Sequence, residues 1–114
     1  MIYVSSKAYH APRWIKYRNA GYPIISSWID YYMPGQINDW AQFWPKILQE
    51  VVDCKVFIIY EEPGDILKGA LVELGVALSN DKPVLSVGLS QSIVYHPYIT
   101  RVDDLDSAMN RARK

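Results

Sequence analysis

The sequence predicts an α/β protein in which a mainly parallel sheet is covered by helices on both faces. Short apolar segments alternate with helical segments along the chain, as in repeated strand–helix–strand units. The clearest strand, residues 56–60, is apolar at every position, which is typical of a parallel strand buried on both faces. The chain has 114 residues, half of them hydrophobic, so we expect a single domain spanning residues 1–114.

Glycine, proline and small polar residues separate the predicted elements. In chain order these elements are strand 2–5, helix 12–18, strand 23–28, a helix up to about residue 53, strand 56–60, helix 66–79, strand 83–87, a short strand 98–102 and a last helix up to about residue 113. A loop rich in tyrosine and polar groups, 29–38, follows the second strand.

Local signals justify the elements before the central strand. Both strands in this half are short apolar runs bounded by polar or turn residues. Pro12 is tolerated in the first turn of a helix, and Gly21 ends that helix. Asn38 or Asp39 can cap the next helix, in which Pro45 predicts either a kink or a later start.

The elements after the central strand complete the predicted architecture. Asn80 ends the helix that follows the loop 61–65, and Pro83 prevents its continuation, so a strand begins there. Asp103 or Asp104 caps the terminal helix. Right-handed crossovers between parallel strands then give a three-layer, flavodoxin-like doubly wound sandwich with four or five strands.

In a sheet of this kind, ligands bind outside the carboxyl ends of the strands. The residues that end the predicted strands are therefore the candidates for a binding site. They are Ser5, Ser6 and Lys7; Ser26, Ser27 and Trp28; Tyr60, Glu61 and Glu62; and Val87 and Gly88.

Charge, cysteine content and motifs exclude several functions. Twelve basic and twelve acidic residues leave no net charge, which argues against binding a nucleic acid polymer but allows one nucleoside or nucleotide. Cys54 is alone and follows an apolar run, so we expect a buried thiol without a disulfide. We expect His10 at a loop surface, and we predict no metal site, because the only other histidine, His96, is far away in the sequence. We predict no cofactor, because neither phosphate-loop nor dinucleotide glycine motifs occur.

The chain lacks the sequence signals of export and membrane insertion. Its first residues contain no charged region followed by a long apolar stretch, and no segment reaches the roughly 20 apolar residues of a membrane span. We therefore expect a cytoplasmic protein without a membrane partner. Its four tryptophans and nine tyrosines favour packing in the core and a dimer interface, a stacking surface for a flat ligand, or both.

One carboxylate stands out within the helix 66–79. Glu73 lies in a segment that is apolar nearly all round, and burying an unpaired charge costs several kcal/mol. Gly69 and Ala77, four residues before and after it, leave space beside the carboxyl group. We expect Glu73 to face a cleft; the alternative is an exposed glutamate paired with Lys68 or Lys82.

The stretch 55–87 resembles the core of the nucleoside 2-deoxyribosyltransferase-like superfamily. That superfamily shows Glu-x-Gly-x-Ala followed by a basic residue, Pro and Val, and this chain has Glu73-Leu-Gly-Val-Ala77 followed by Lys82-Pro-Val. The chain is also similar to 2′-deoxynucleoside 5′-phosphate N-hydrolases and to small phage and bacterial members. The helix with Trp14, the Ile-Ser-Ser-Trp segment 25–28 and the His-Pro of the tail resemble those members.

The resemblance implies an N-glycosidic-bond enzyme acting on deoxynucleosides or deoxynucleotides. The motif glutamate of the family is the nucleophile that attacks C1′ of the deoxyribose, so the resemblance assigns this role to Glu73. The leaving base gains a proton, and Asp65 and Glu61, in the loop after the third predicted strand, are the candidates for that acid. Relatives build their sites at subunit interfaces, so we expect a homodimer or a larger homo-oligomer.

Substrate-binding residues are expected at the strand ends. The resemblance places sugar or phosphate at the predicted end of the first strand, and we expect a nucleobase to stack on an aromatic side chain. The serines can equally serve as a helix cap and the aromatic residues as rim packing. The predicted substrate-binding residues are Tyr3, Ser5, Ser6, Lys7, Trp28, Tyr60 and Gly69.

Two other classes of function remain open from the sequence. The first loop, Ser-Lys-Ala-Tyr-His, departs from the glycine-rich loop of the hydrolytic relatives. The helix before residue 56 carries Glu50 and Asp53 but no clear equivalent of the aspartate found there in relatives. A non-catalytic nucleotide- or nucleotide-sugar-binding module and a purely structural homo-oligomer are therefore the alternatives.

Overall fold

The computed structural model describes residues 1–114 and contains one four-stranded sheet and four α-helices. The strands are β1 (Ile2–Ser5), β2 (Val56–Tyr60), β3 (Val84–Val87) and β4 (Ile99–Arg101). The helices are α1 (Ala11–Asn19), α2 (Trp40–Asp53), α3 (Gly69–Ser79) and α4 (Leu105–Ala112). All strand pairs are parallel, in the order β1-β2-β3-β4. The predicted α/β class is therefore confirmed.

Alternate residues along the strands enter two separate cores. Tyr3 and Phe57 pack on one side of the sheet with α2 and α3. Val4 and Ile58 pack on the other side, with Trp14 of α1 and with α4. This alternation follows from the two-residue period of a strand, and because both faces are apolar, both must be covered. The result is the predicted three-layer, doubly wound sandwich.

The predicted second strand, 23–28, is wrong in extent. Its backbone pairs with β1 only through a parallel bridge between Ile24 and Ile2. Beyond that bridge, side chains take over the hydrogen bonds of β1: the Ser26 hydroxyl accepts from the Val4 amide at 2.7 Å, and the Trp28 indole donates to the Val4 carbonyl at 2.8 Å. With these groups satisfied, no further strand pairing is needed. The bridge still occupies the edge position of a second strand in a flavodoxin-like order.

The helix boundaries follow local capping chemistry. The Asp39 carboxylate accepts from the Gln42 amide and caps α2, which then continues through Pro45 without a later start. The Asp104 carboxylate caps α4 in the same way. Helix α3 begins at Gly69, later than predicted, because the backbone of Lys68 just before it is not helical, with φ −132° and ψ −80°. None of the helices has both the length and the apolarity required to cross a membrane.

Gly88 is the one glycine whose backbone and surroundings both exclude a side chain. Its φ is +76°, and a Cβ atom built there would lie 2.2 Å from the carbonyl oxygen of Glu61. Gly88→Ala is expected to lower the free energy of unfolding by about 3 kcal/mol, from backbone strain plus displacement of that carbonyl. Gly21, with a φ of +102° and no neighbouring atom within 4 Å, is the control. Gly21→Ala should cost about 1 kcal/mol, from strain alone.

Urea unfolding of the two variants measures the difference between these costs. Equal losses of stability in Gly88→Ala and Gly21→Ala would show that the Glu61 carbonyl imposes no steric constraint.

Candidate functional site

A cavity of about 410 Å³ opens beside the carboxyl end of β1, between α2 and α3. The loop that carries Met33 and Ile37 forms one wall, and the start of α3 forms another. Aromatic side chains dominate the lining, which suits a flat ligand that is partly apolar. They are Trp28, Tyr31, Tyr32, Trp40, Phe43 and Trp44.

Glu73 provides the one acidic side chain in the cavity lining. It is 7% exposed, and the Ser5 hydroxyl donates a hydrogen bond to its Oε1 atom at 2.8 Å. Neither Lys68 nor Lys82 forms an ion pair with it. The expectation that Glu73 is buried and faces a cleft is therefore confirmed, and the alternative of an exposed, paired glutamate is wrong.

The surroundings of Glu73 favour its protonated form. Burial raises the pKa of this carboxyl, the negative charge of Glu50 adds to the effect, and the pKa reaches about 7. The hydroxyls of Ser5 and Tyr3 favour the ionised form and oppose the shift. A carboxyl group with this pKa exists in both protonation states near neutral pH.

Tyr3 lies beneath the cavity rather than in its lining. Its side chain is fully buried and stacks on Phe57, with ring centroids 5.5 Å apart. Its hydroxyl is close enough to Glu73 to affect that carboxyl, but it makes no hydrogen bond of ordinary geometry. Burial, followed by the charges of Glu73 and Glu50, raises the pKa of Tyr3 far above its ordinary value. Tyr3 is therefore a neutral polar group behind the carboxyl.

The residues after β1 reach the cavity from one side. Ser6 and Lys7 line it, and Ser5 lies behind Glu73. The Ser6 hydroxyl is engaged, since it accepts from the Trp14 indole at 2.9 Å and donates to the Lys7 carbonyl at 3.0 Å. The Lys7 ammonium forms no ion pair and is available to an anion.

Gly69 lets an aromatic wall approach α3 closely. A Cβ atom at this position would lie 3.3 Å from Cη2 of Trp44, nearer than most side-chain contacts. Gly69 also lines the cavity, one helical turn before Glu73. Gly69 thus allows the Trp44 indole to pack against the start of α3.

Three predicted site residues lie away from the cavity. The Asp65 carboxylate binds Tyr9, His10 and the Glu62 amide. Burial tends to raise the pKa of Asp65, but these hydrogen bonds outweigh it and lower the pKa to about 2. A carboxyl with this pKa carries no proton to give to a leaving base at neutral pH.

Glu61 and Tyr60 are likewise occupied elsewhere. The buried Glu61 carboxylate accepts from the Ser90 amide at 2.7 Å and from Gln91 Nε2 at 3.2 Å, and so holds the loop after β3. Tyr60 lines a separate groove between α1 and α4, on the opposite face of the sheet, where its ring contacts Trp14 edge-on. The structure therefore does not bring these side chains to Glu73.

His10 is buried, so the expected loop-surface position is wrong. Its side chain is 2% exposed, and its Nε2 atom lies 3.0 Å from Oδ2 of Asp65. The rings of Tyr9 and Tyr60 pack against the imidazole, at centroid distances of 4.0 and 5.0 Å. The contact with Asp65 explains how this polar side chain is accommodated inside the protein.

Two features of the site are absent from the sequence predictions. One is the aromatic wall of the cavity, formed by Trp40, Phe43 and Trp44, whose spacing places them on one face of a helix. Glu50 follows on the same helix, and its Oε1 atom accepts from the Ser27 amide at 3.1 Å. Its charge contributes to the raised pKa of Glu73, an effect that depends on tertiary packing rather than on any local pattern.

Comparisons of the chain with family models, curated proteins and solved structures found no match. No group of three His, Cys, Asp or Glu side chains is arranged to hold a metal ion. The chemistry available to the site is therefore that of the cavity and of the Glu73 carboxyl.

Removing the Glu73 carboxyl should stabilise the fold in a pH-dependent way. Its pKa rises from about 4.5 in the unfolded chain to about 7 in the folded protein, so folding favours the protonated form. The resulting penalty is absent below about pH 4, develops as the pH rises, and is complete above about pH 7. Glu73→Gln should therefore raise the free energy of unfolding by about 3 kcal/mol at pH 8, and far less at pH 4.

Urea denaturation at the two pH values measures this gain. Glu62→Gln serves as a matched control, because Glu62 is 32% exposed and pairs with Arg13 at the surface. A gain for Glu73→Gln that is equal at pH 4 and pH 8, or no gain at pH 8, would contradict the raised pKa.

Proposed function

We propose that the protein breaks the N-glycosidic bond of a 2′-deoxynucleoside or its 5′-phosphate, with Glu73 as the nucleophile. The base is released to water or replaced by a second base. The observation that carries the proposal is a single buried carboxyl, with a pKa near neutrality, at the wall of an aromatic cavity. Structural packing alone gives no reason to retain such a group, because burial makes it destabilising when ionised.

The chemistry requires only the ionised form of Glu73. One carboxylate oxygen bonds to C1′ of the sugar while the C1′–N bond breaks, and the electron pair of that bond leaves with the base, which takes up a proton from water. A water molecule or a second base then attacks C1′, loses a proton to the hydroxide left by the first step, and releases the carboxylate. The hydrogen bond from Ser5 fixes Oε1, which favours attack through the other oxygen, Oε2.

The lining of the cavity fits the two ends of such a substrate. The indoles and phenyl ring of α2 offer flat surfaces on which a nucleobase can stack. Lys7 and Lys68 line the cavity without carboxylate partners, so both can approach an anion. Two free ammonium groups favour the 5′-phosphate over the uncharged nucleoside.

A second candidate is a binding module that holds a nucleotide or nucleotide sugar without cleaving it. One observation favours it: Glu73 is the sole acidic residue of the lining, so no second carboxyl stands ready to protonate a leaving base. Asp65 and Glu61 are engaged outside the cavity. The aromatic walls and free lysines serve binding equally well.

Assembly and location form part of the same proposal. Tyr31, Met33 and Trp40 are 43%, 56% and 53% exposed at the edge of the cavity, which supports a homodimer or larger homo-oligomer that covers them. The lone buried thiol of Cys54 is compatible with a reducing, cytoplasmic environment.

Activity assays with matched variants test the proposal. The purified protein is incubated with the common deoxynucleosides and their 5′-monophosphates, with and without a second base, and free base is measured by liquid chromatography. Wild type should release base, and Glu73→Gln should lose at least about 10³-fold in rate, because the nucleophile is gone. Glu62→Gln should retain the wild-type rate. The wild-type rate should also fall as the pH is lowered through about 7.

Thermal melting in the presence of the same compounds separates the two candidates. A nucleotide that raises the melting temperature of wild type without being cleaved would support the binding module. Cleavage that persists in Glu73→Gln would contradict the assigned nucleophile, and the absence of both cleavage and stabilisation would contradict both candidates.

A further inference from the structure

The Asp65 carboxylate joins the loop after β1 to the loop after β2. The Tyr9 hydroxyl donates to its Oδ1 atom, and His10 Nε2 lies 3.0 Å from its Oδ2 atom. The Glu62 amide, in the same loop as Asp65, donates to Oδ2 at 2.9 Å. Both oxygens are therefore occupied, and two of the three partners are side chains from the other loop.

The two joined loops both lead into segments that line the cavity that contains Glu73. Residues 6–8, which line the cavity, lead directly into Tyr9 and His10. Residues 67–69 line it as well and follow Asp65 by only a few positions. A change in the separation of the two loops would therefore move Lys7 relative to Glu73.

The contact between His10 and Asp65 is well protected from competing water, whereas the hydrogen bond from Tyr9 lies at the surface. The side chains of His10 and Asp65 are 2% and 3% exposed, and the imidazole is held between the rings of Tyr9 and Tyr60. Hydrogen bonds to an ionised carboxylate are stronger than those between neutral groups, and low exposure strengthens them further. The hydrogen bond to Asp65 also raises the pKa of Tyr9 to about 12, so the phenol remains a donor.

We infer that Asp65 is a positioning residue, which fixes the loop of residues 6–10 against the start of α3 and thereby sets the width of the cavity beside Glu73. It acts through Tyr9 and His10 rather than on a ligand. The identity of the ligand as a deoxynucleotide rests on the proposed function. The link that Asp65 makes between the two loops is independent of that proposal.

The test compares Asp65→Ala with Asp106→Ala. Asp106 accepts a hydrogen bond from the Tyr17 hydroxyl between α1 and α4, on the opposite side of the sheet, so its loss removes a similar tyrosine–aspartate contact far from the cavity. Amide hydrogen exchange, measured by NMR at a pH near 7, reports the local opening of each segment.

In Asp65→Ala, exchange of the amides in residues 6–10 should accelerate at least about tenfold, while exchange in β2 stays unchanged. The imidazole signals of His10 should shift, because its carboxylate partner is gone. Asp65→Asn should restore only part of the protection, since its amide oxygen can still accept from Tyr9 but its amide nitrogen cannot accept from the Glu62 amide. Asp106→Ala should alter neither the loop nor His10.

Tyr9→Phe keeps the inference testable if Asp65→Ala does not fold. Tyr9 is 59% exposed, so removing its hydroxyl leaves the core intact, and exchange in residues 6–10 should rise by a smaller factor. Loop exchange that is unchanged in Tyr9→Phe and in every folded Asp65 variant would overturn the inference.

Calorimetric titration with deoxynucleoside 5′-monophosphates separates this inference from the proposed function. If wild type binds them, Asp65→Ala should weaken the affinity about tenfold, because Lys7 is no longer held in place. If wild type binds no nucleotide but loop exchange accelerates in Asp65→Ala, the positioning role of Asp65 is supported. Only the proposal that the ligand is a nucleotide is then contradicted. Undiminished affinity in a variant with a loosened loop would overturn the control of the cavity by Asp65.

Discussion

The hydrogen bond between Ser5 and Glu73 links the end of the first strand to the middle of the most apolar helix. It is the main polar contact of a carboxyl group that the surrounding core would otherwise exclude. Burial makes the ionised carboxyl costly, and one neutral donor offsets only part of that cost. The ionised Glu73 carboxyl therefore lowers the stability of the fold above neutral pH. Its position beside the cavity supports the proposal that it is retained for function.

The rest of the site follows from how the sheet brings its loops together. Parallel strands place the loops after β1 and β2 at one edge, where Asp65 ties them to each other. Helix α2 supplies the aromatic wall, and the absence of a side chain at Gly69 allows Trp44 to lie against α3. The segments that line the cavity are thus held by different means, the loop after β1 by a charged contact with Asp65 and α2 by close packing against Gly69.

Local sequence patterns account for the sheet, the two apolar faces and the burial of Glu73, because each depends on residues that are near in the chain. The strand predicted at 23–28 fails because the Ser26 and Trp28 side chains replace its backbone pairing, which no apolar pattern signals. The burial of His10 could not be predicted from local sequence either, because its partner Asp65 is 55 residues away in the chain. Contacts of this kind form only in the tertiary fold. They hold Asp65 and Glu61 outside the cavity and leave Glu73 as the acidic residue that lines it.

The proposed site depends on a single property, the protonation of the Glu73 carboxyl. Carbon-13 NMR of the glutamate Cδ resonances, with Glu73→Gln used to assign the signal, measures its pKa directly. We expect a midpoint near 7 and a further rise of the pKa in Ser5→Ala, because loss of the Ser5 hydroxyl removes a donor to the ionised form. A midpoint near 4.5, unchanged in Ser5→Ala, would show that the carboxyl is solvated and would contradict the site.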